Sequence, residues 1–180
     1  MWLNKEQLLA YKKYLPFLLL AISLLTSSWF YWGSDFKTEQ ILTSREWQSN
    51  SVTRIEAEID NVGPLKRSDM TSNVVYLPNK TYSKVTVLSL YSETTKGLPM
   101  NIHISESGTW DVSGGYLLSN PIEFKDITSN VNQDFTKAQL SIIKRVYKMD
   151  AQQSRRIDVI NDKTLLLTSL NHGSSVLFSH

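Results

Sequence analysis

Residues 107–118 read SGTWDVSGGYLL, and the fold turns on how this stretch bends. Trp110 and Val112 stand two apart, the spacing that puts side chains on one face of a strand, and Tyr116 and Leu118 repeat it after Ser113-Gly114-Gly115. Glycine at 108 and at 114–115 permits sharp turns. The expectation is a pair of antiparallel strands with Trp110, Val112, Tyr116 and Leu118 on a shared inner face of a curling sheet.

Working outward, the same short alternating pattern recurs. NVVYLPNKTYSKVTVLSLY (73–91) reads as a hairpin, with β-branched and aromatic runs on either side of Pro78-Asn79-Lys80. NIHIS (101–105) sets Ile102 and Ile104 on one face and His103 on the other, and PIEFKDI (121–127) pairs Ile122 with Phe124. Near the carboxyl end, RRIDVIN (155–161) precedes two strand-sized runs, 164–170 and 175–178, around Asn171-His172-Gly173, residue types suited to a tight hairpin. About eight antiparallel strands result, mainly β, and a sheet of that number can close into a barrel that holds packed side chains or one small ligand. Gly108-Thr109-Trp110 resembles the Gly-x-Trp element of lipocalin-like barrels. The candidate walls of a ligand chamber are Val85, Val87, Ile102, Ile104, Trp110, Tyr116, Leu118 and Phe124. Each is equally at home in a core without a ligand.

One helix interrupts the strands. In DFTKAQLSIIKRVYKM (134–149), Thr136 and Gln139 have the spacing of a capping box. Phe135, Ala138, Ile142, Val146 and Met149 make one apolar stripe, and Leu140, Ile143 and Tyr147 make a second beside it. An arc this wide either packs wholly on the helix's own sheet or leaves part of itself for another protein.

Tyr14 to Trp32 carries no charged side chain, and as a helix it spans roughly 28 Å, close to the thickness of a hydrocarbon core. Lys5, Lys12 and Lys13 precede it, so the positive-inside rule places the N-terminus in the cytoplasm. A cleaved signal peptide begins in the same way, but Trp29-Phe30-Tyr31-Trp32 stands where small residues are needed for cleavage and suits a membrane boundary. The expected organisation is a cytoplasmic leader (1–13), a transmembrane helix (14–32), a juxtamembrane link (33–50) and an exported β-barrel domain (51–180).

Composition narrows the chemistry. With 19 basic and 17 acidic residues the chain is too evenly charged to advertise a nucleic-acid partner. It contains no cysteine, which excludes thiol catalysis and disulfides. His172-Gly173-Ser174 invites a hydrolytic reading, but Gly-x-Ser-x-Gly is absent, and His103, His172 and His180 lack metal-ligand spacing. Neither catalytic residues nor a cofactor or metal is expected.

Four stretches resemble the ToxS family: YWGSDFKTEQILTSREWQS (31–49), TSNVVYLPNKTY (71–82), PIEFKDITS (121–129) and KMDAQQSRRIDVINDKTLLLTSLNHGSSVLF (148–178). The resemblance implies a single-pass inner-membrane protein whose periplasmic domain binds that of the transmembrane transcription factor ToxR, protects it from proteolysis and raises its activity. By likeness to the related pair VtrA and VtrC, it further implies a lipocalin-like barrel that senses bile salts beside its partner. Ile143, Tyr147, Arg155 and Arg156 are the candidate partner contacts. Arg155 and Arg156 are strand neighbours that face opposite ways, so at most one meets any given anion. A self-contained, membrane-anchored binder acting without ToxR is the alternative.

Overall fold

The computed structural model of the chain describes residues 5–55, 63–92, 99–128, 134–170 and 173–180. Helix α1 (Lys5–Thr43) is followed by β1 (Glu46–Arg54), β2 (Leu65–Tyr76), β3 (Thr81–Ser92), β4 (Met100–Ser113) and β5 (Tyr116–Asp126). Then come α2 (Lys137–Ala151), β6 (Arg155–Asn161), β7 (Thr164–Ser169) and β8 (Ser174–Phe178). The eight strands pair antiparallel in chain order and close into a barrel, as the alternation predicts. Closure is uneven. β2 and β3 pair from Tyr76↔Tyr82 to Leu65↔Ser92, whereas β5 meets β6 only at Tyr116↔Arg156 and Leu117↔Arg155, and β1 meets β8 only at Gln48↔Phe178.

Helix α1 is long and apolar enough to cross a membrane, and the side chains from Tyr14 to Phe30 are all exposed to their surroundings. The polar link expected over 33–50 takes another form, because the helix runs unbroken to Thr43 and β1 starts at Glu46. Two acidic residues of that segment, Asp35 and Glu39, are bonded to the barrel. The Asp35 carboxylate accepts the backbone N–H groups of Gly114 and Gly115 at 3.0 and 3.2 Å. Lys80 lies 2.6 Å from Glu39 and 2.9 Å from Asp111, with its ammonium over the Trp110 ring. Leu42 and Trp47 are fully buried, and the indole N–H of Trp47 donates to the Leu42 carbonyl at 2.9 Å. The end of α1 thereby stoppers the barrel.

The turns fix which residues face inward. Gly114 and Gly115 both have positive φ (59° and 78°), the geometry of a two-residue hairpin that pairs Ser113 with Tyr116 and Val112 with Leu117. Leu117 therefore joins Trp110 and Val112 inside, while Tyr116 and Leu118 face outward, contrary to expectation. In β3, the Tyr76↔Tyr82 pair sets Tyr82, Lys84, Thr86, Leu88 and Leu90 inward. Val85 is exposed and Val87 lies on the same outer face, so neither is an interior wall. Strand alternation misleads at this point because the interior itself is polar at mid-height.

Two apolar clusters fill the barrel. Near α1 lie Leu42, Trp47, Val74, Tyr76, Trp110, Leu117, Leu167 and Leu177 with their neighbours. At the far end, Leu65, Leu88, Leu90, Ile102 and Ile104 pack beneath Phe135 and Tyr147, with Leu140 and Ile143 partly buried beside them. The predicted capping box starts α2, with the Thr136 hydroxyl accepting from the Gln139 N–H at 3.3 Å and the Gln139 side chain accepting from the Thr136 N–H at 2.8 Å.

Two substitutions test this account. Truncating Leu42→Ala leaves a cavity at the stopper and is expected to cost about 2–5 kcal/mol, read as a lower urea midpoint. A Cβ on Gly108 would stand 2.2 Å from the Asn120 carbonyl oxygen and 2.8 Å from the Pro121 Cα, both backbone atoms at the β4–β5 bulge. Gly108→Ala must therefore push the strands apart, with an expected loss of at least ~1–3 kcal/mol and faster amide exchange in β5.

Candidate functional site

Between the two apolar clusters runs a buried polar layer centred on Glu106, which is 2% exposed. Its Oε1 accepts from the Tyr82 hydroxyl at 2.5 Å, its Oε2 accepts from the Tyr147 hydroxyl at 3.1 Å, and the Lys84 ammonium lies 3.7 Å away. Tyr147 has one hydroxyl proton and directs it at Glu106, so Thr86 donates to Tyr147 across 2.9 Å. Ser72 in turn donates to Thr86 across 2.9 Å. This relay joins β2, β3, β4 and α2. Among the described residues no buried side-chain polar atom lacks a partner.

Beside this layer lies a cavity of about 310 Å³. Its floor is the apolar cluster near α1, through Val74, Tyr76, Leu117, Leu167 and Leu177, and its inner wall carries Tyr82, Lys84 and Glu106. Ser49, Ser51 and Thr53 of β1 face Ser174 and Ser175 of β8, where the two strands part beyond their one paired position. The fourth side is the β5–β6 seam, lined by Ser119, Asp150, Ala151, Gln153 and Arg155. Arg155 holds Asp150 at 2.6 Å. Lys84 and Arg155 are each matched by a carboxylate, so the cavity offers an apolar floor with orienting polar groups rather than a bare charge.

The expected wall residues are distributed differently. Ile102 and Ile104 face inward but belong to the far cluster, and Trp110 lies in the floor cluster, its indole N–H donating to the Leu77 carbonyl at 3.1 Å. Ile104 and Phe124 line a separate groove of about 320 Å³ against Lys144, Tyr147 and Lys148 of α2. None of the eight lines the cavity beside Glu106. Of the expected partner contacts, Tyr147 is buried in the relay and Ile143 packs on the barrel, while Val146 and Met149 of the neighbouring stripe are exposed. Arg155 lines the cavity and Arg156 faces outward toward Asp158, as alternation requires. Asn171 and His172 lie outside the described residues; Ser169 and Gly173 flank them, with the Ser169 N–H donating to the Gly173 carbonyl at 2.8 Å. Glu106, the residue not anticipated, shares its parity with Ile102, Ile104 and Trp110, so the alternation of β4 alone marks it as an inward carboxylate.

Burial raises the phenol pKa values of Tyr76, Tyr82 and Tyr147, and for Tyr82 the Glu106 carboxylate adds to the rise. Burial lowers that of the Lys84 ammonium against the pull of Glu106. At the edge of α2, desolvation of Asp126 is outweighed by hydrogen bonds from Lys144 and Thr128, which bring its carboxyl down to about 2.

These directions carry a sign. A phenol whose pKa is raised by folding contributes stability that is complete below its unfolded value, 10.0, and is lost as pH climbs beyond it. The depressed Lys84 works oppositely, its penalty easing as pH approaches 10.5. Three phenols outweigh one ammonium, so thermal stability is expected to fall from about pH 10 upward. Tyr82→Phe should lose about 1–3 kcal/mol at neutral pH, because Glu106 loses a donor, yet show a shallower alkaline decline.

Comparison with known proteins gives the family. Residues 31–178 match the family described as Trans-membrane regulatory protein ToxS. The Transmembrane regulatory protein ToxS of Vibrio cholerae is 56% identical over 164 residues, which cover 90% of this chain and 94% of that protein. The protein of the same name from Vibrio parahaemolyticus is 56% identical over 161 residues, covering 88% of this chain and 94% of its own length. A membrane-crossing helix stoppering an eight-stranded barrel, matched over nearly its whole length, makes this chain a member of the ToxS family.

Proposed function

We propose that the chain is a regulatory membrane protein that acts by holding a partner receptor in its working shape and not by catalysis. In this reading the N-terminus is cytoplasmic, the helix sits in the inner membrane, and the barrel is periplasmic. The partner is the periplasmic domain of a ToxR-type transcription factor, which is bound, shielded from proteolysis and made more active. A bile salt is the ligand of the complex.

The observation that supports this reading best is that the incompletely paired wall and the cavity share residues. β5 has no β6 partner from Leu118 to Asp126, and Ile122, Val146 and Met149 are exposed along that side. Ser119, Gln153 and Arg155 on the same seam line the cavity. A partner laid on the seam completes the chamber wall, by strand addition to β5 or by packing on the exposed stripe of α2. A ligand that binds only the completed chamber then stabilises the pair by mass action, about 2.7 kcal/mol at a hundredfold excess over its Kd.

One feature favours a second reading: the cavity already exists in the single chain, as a self-contained binder requires. An NMR titration of the exported domain, alone and mixed with the ToxR periplasmic domain, separates the two when a bile salt is added. The co-receptor reading expects the partner to shift Ile122, Val146 and Met149, and the bile salt to shift Tyr76, Leu117 and Leu167 only in the mixture. Ligand shifts in the unmixed domain favour the self-contained binder, and a mixture in which no complex forms removes the partner reading.

A further inference from the structure

We propose that the end of the barrel nearest α1 is a lipid-contact surface, seated in the headgroup layer of the membrane that α1 crosses. This rests on α1 being a transmembrane segment. In an up-and-down barrel that begins beside a helix, the β2–β3, β4–β5 and β6–β7 turns all lie at the helix end, and here the contacts of Asp35 and Glu39 with the first two turns fix that end to α1.

The distances bring that end to the bilayer. The uncharged run ends at Trp32, and Asp35, already bonded to Gly114 and Gly115, is three residues on, about 4.5 Å along a helix. The headgroup layer is itself roughly 5–7 Å deep on each side. The β6–β7 hairpin goes further. The Ile157 N–H donates to the Gly115 carbonyl, and β6 then continues to Asn161, four residues past this turn and away from the body of β5. At about 3.3 Å per residue along a strand tilted by about 45°, that overhang is roughly 9 Å, more than the 4.5 Å available.

The exposed side chains at this end suit such surroundings. Ile160 sits at the register irregularity between Val159 and Asn161 and is 61% exposed, Phe36 of α1 is 62% exposed, and Leu77 at the β2–β3 turn is 42% exposed. Asp162 and Lys163 at the hairpin tip are both exposed beside them. Apolar side chains flanked by charged ones at the rim match the boundary between acyl chains and polar headgroups. The occupant is therefore lipid, not a second protein.

Absence of cysteine from the chain makes the test direct, because one introduced thiol is unique. The full chain carrying Ile160→Cys, with an environment-sensitive NBD label, is reconstituted in vesicles of phosphatidylethanolamine and phosphatidylglycerol containing spin-labelled lipid. Leu77→Cys provides a second position at the rim, Val52→Cys on β1 a control remote from it, and Leu20→Cys a control within α1. The Ile160 and Leu77 labels are expected to shift to the blue and lose most of their emission to shallow spin labels, with the Val52 label unchanged and the Leu20 label quenched by deep ones. Rim labels that behave like the Val52 label, while the Leu20 label is quenched, overturn the proposal and leave the transmembrane reading intact. Loss of quenching at Leu20 as well overturns both. Rim labels that respond to added ToxR periplasmic domain but not to spin-labelled lipid also overturn it, since the occupant is then protein.

Discussion

A carboxylate buried at mid-barrel is the constraint around which the rest is arranged. An ionised side chain in a barrel interior is tolerated only when its lone pairs are filled, and Glu106 fills them with two phenols and an ammonium drawn from β3 and α2. That requirement fixes more than one element at once. Tyr82 and Lys84 must face inward, which sets the parity of β3, and Tyr147 must reach down from α2, which sets the rotation of the helix and decides which of its two apolar stripes is covered. Thr86 and Ser72 follow because the Tyr147 hydroxyl, donating its hydrogen bond to Glu106, accepts one from Thr86, which accepts one from Ser72. The exposed stripe of α2, with Val146 and Met149, is a consequence of this rotation.

The class of fold and its punctuation were legible because they rest on local chemistry. Pro78-Asn79-Lys80 and Gly114-Gly115 announce their turns, Thr136 and Gln139 their helix start, and the uncharged run its membrane helix. Inside against outside was less legible. Period-two reasoning assumes an apolar interior, and in β3 the β-branched Val85 and Val87 won that comparison over Lys84 and Thr86. The polar pair is inside because its partners arrive from β2, β4 and α2, 14 to 61 residues away in sequence. Tyr116 and Leu118 were misplaced for a different reason: a two-residue turn reverses the parity between its strands, so Leu117 faces Val112. The cavity was hidden almost entirely, since its mouth is made of serines and its existence depends on two seams whose pairing no single stretch encodes.

The junction between helix and barrel departs from a flexible tether. Residues 33–43, polar enough to read as a link, continue α1 and enter the barrel as a stopper at Leu42. A helix is stiff over such a length, and its last turns carry the Asp35 and Glu39 contacts, so the barrel has little freedom to tumble about the membrane helix. Such a fixed orientation presents the same side of the barrel at a constant height relative to α1. It reduces the ordering that binding must impose.

The polar layer also explains why a chamber persists at all. Replacing a buried ionic network by apolar side chains is often neutral or stabilising, and here such a replacement would let the clusters at the two ends merge into one core. As built, the cluster under α2 and the cluster above Leu42 are held apart by side chains whose hydrogen bonds are fully committed, so neither can slide inward to fill the gap. The same commitment makes the layer intolerant of partial change, because removing one donor strands a charge. A chamber floored by leucines, walled by a relay that cannot collapse and bounded by a seam two residue pairs long is held open by the side that is fully bonded and adjustable on the side that is not. Under the proposed function, this asymmetry puts the response at β5, β6 and the end of α2, where covering the seam and filling the cavity would act on the same residues.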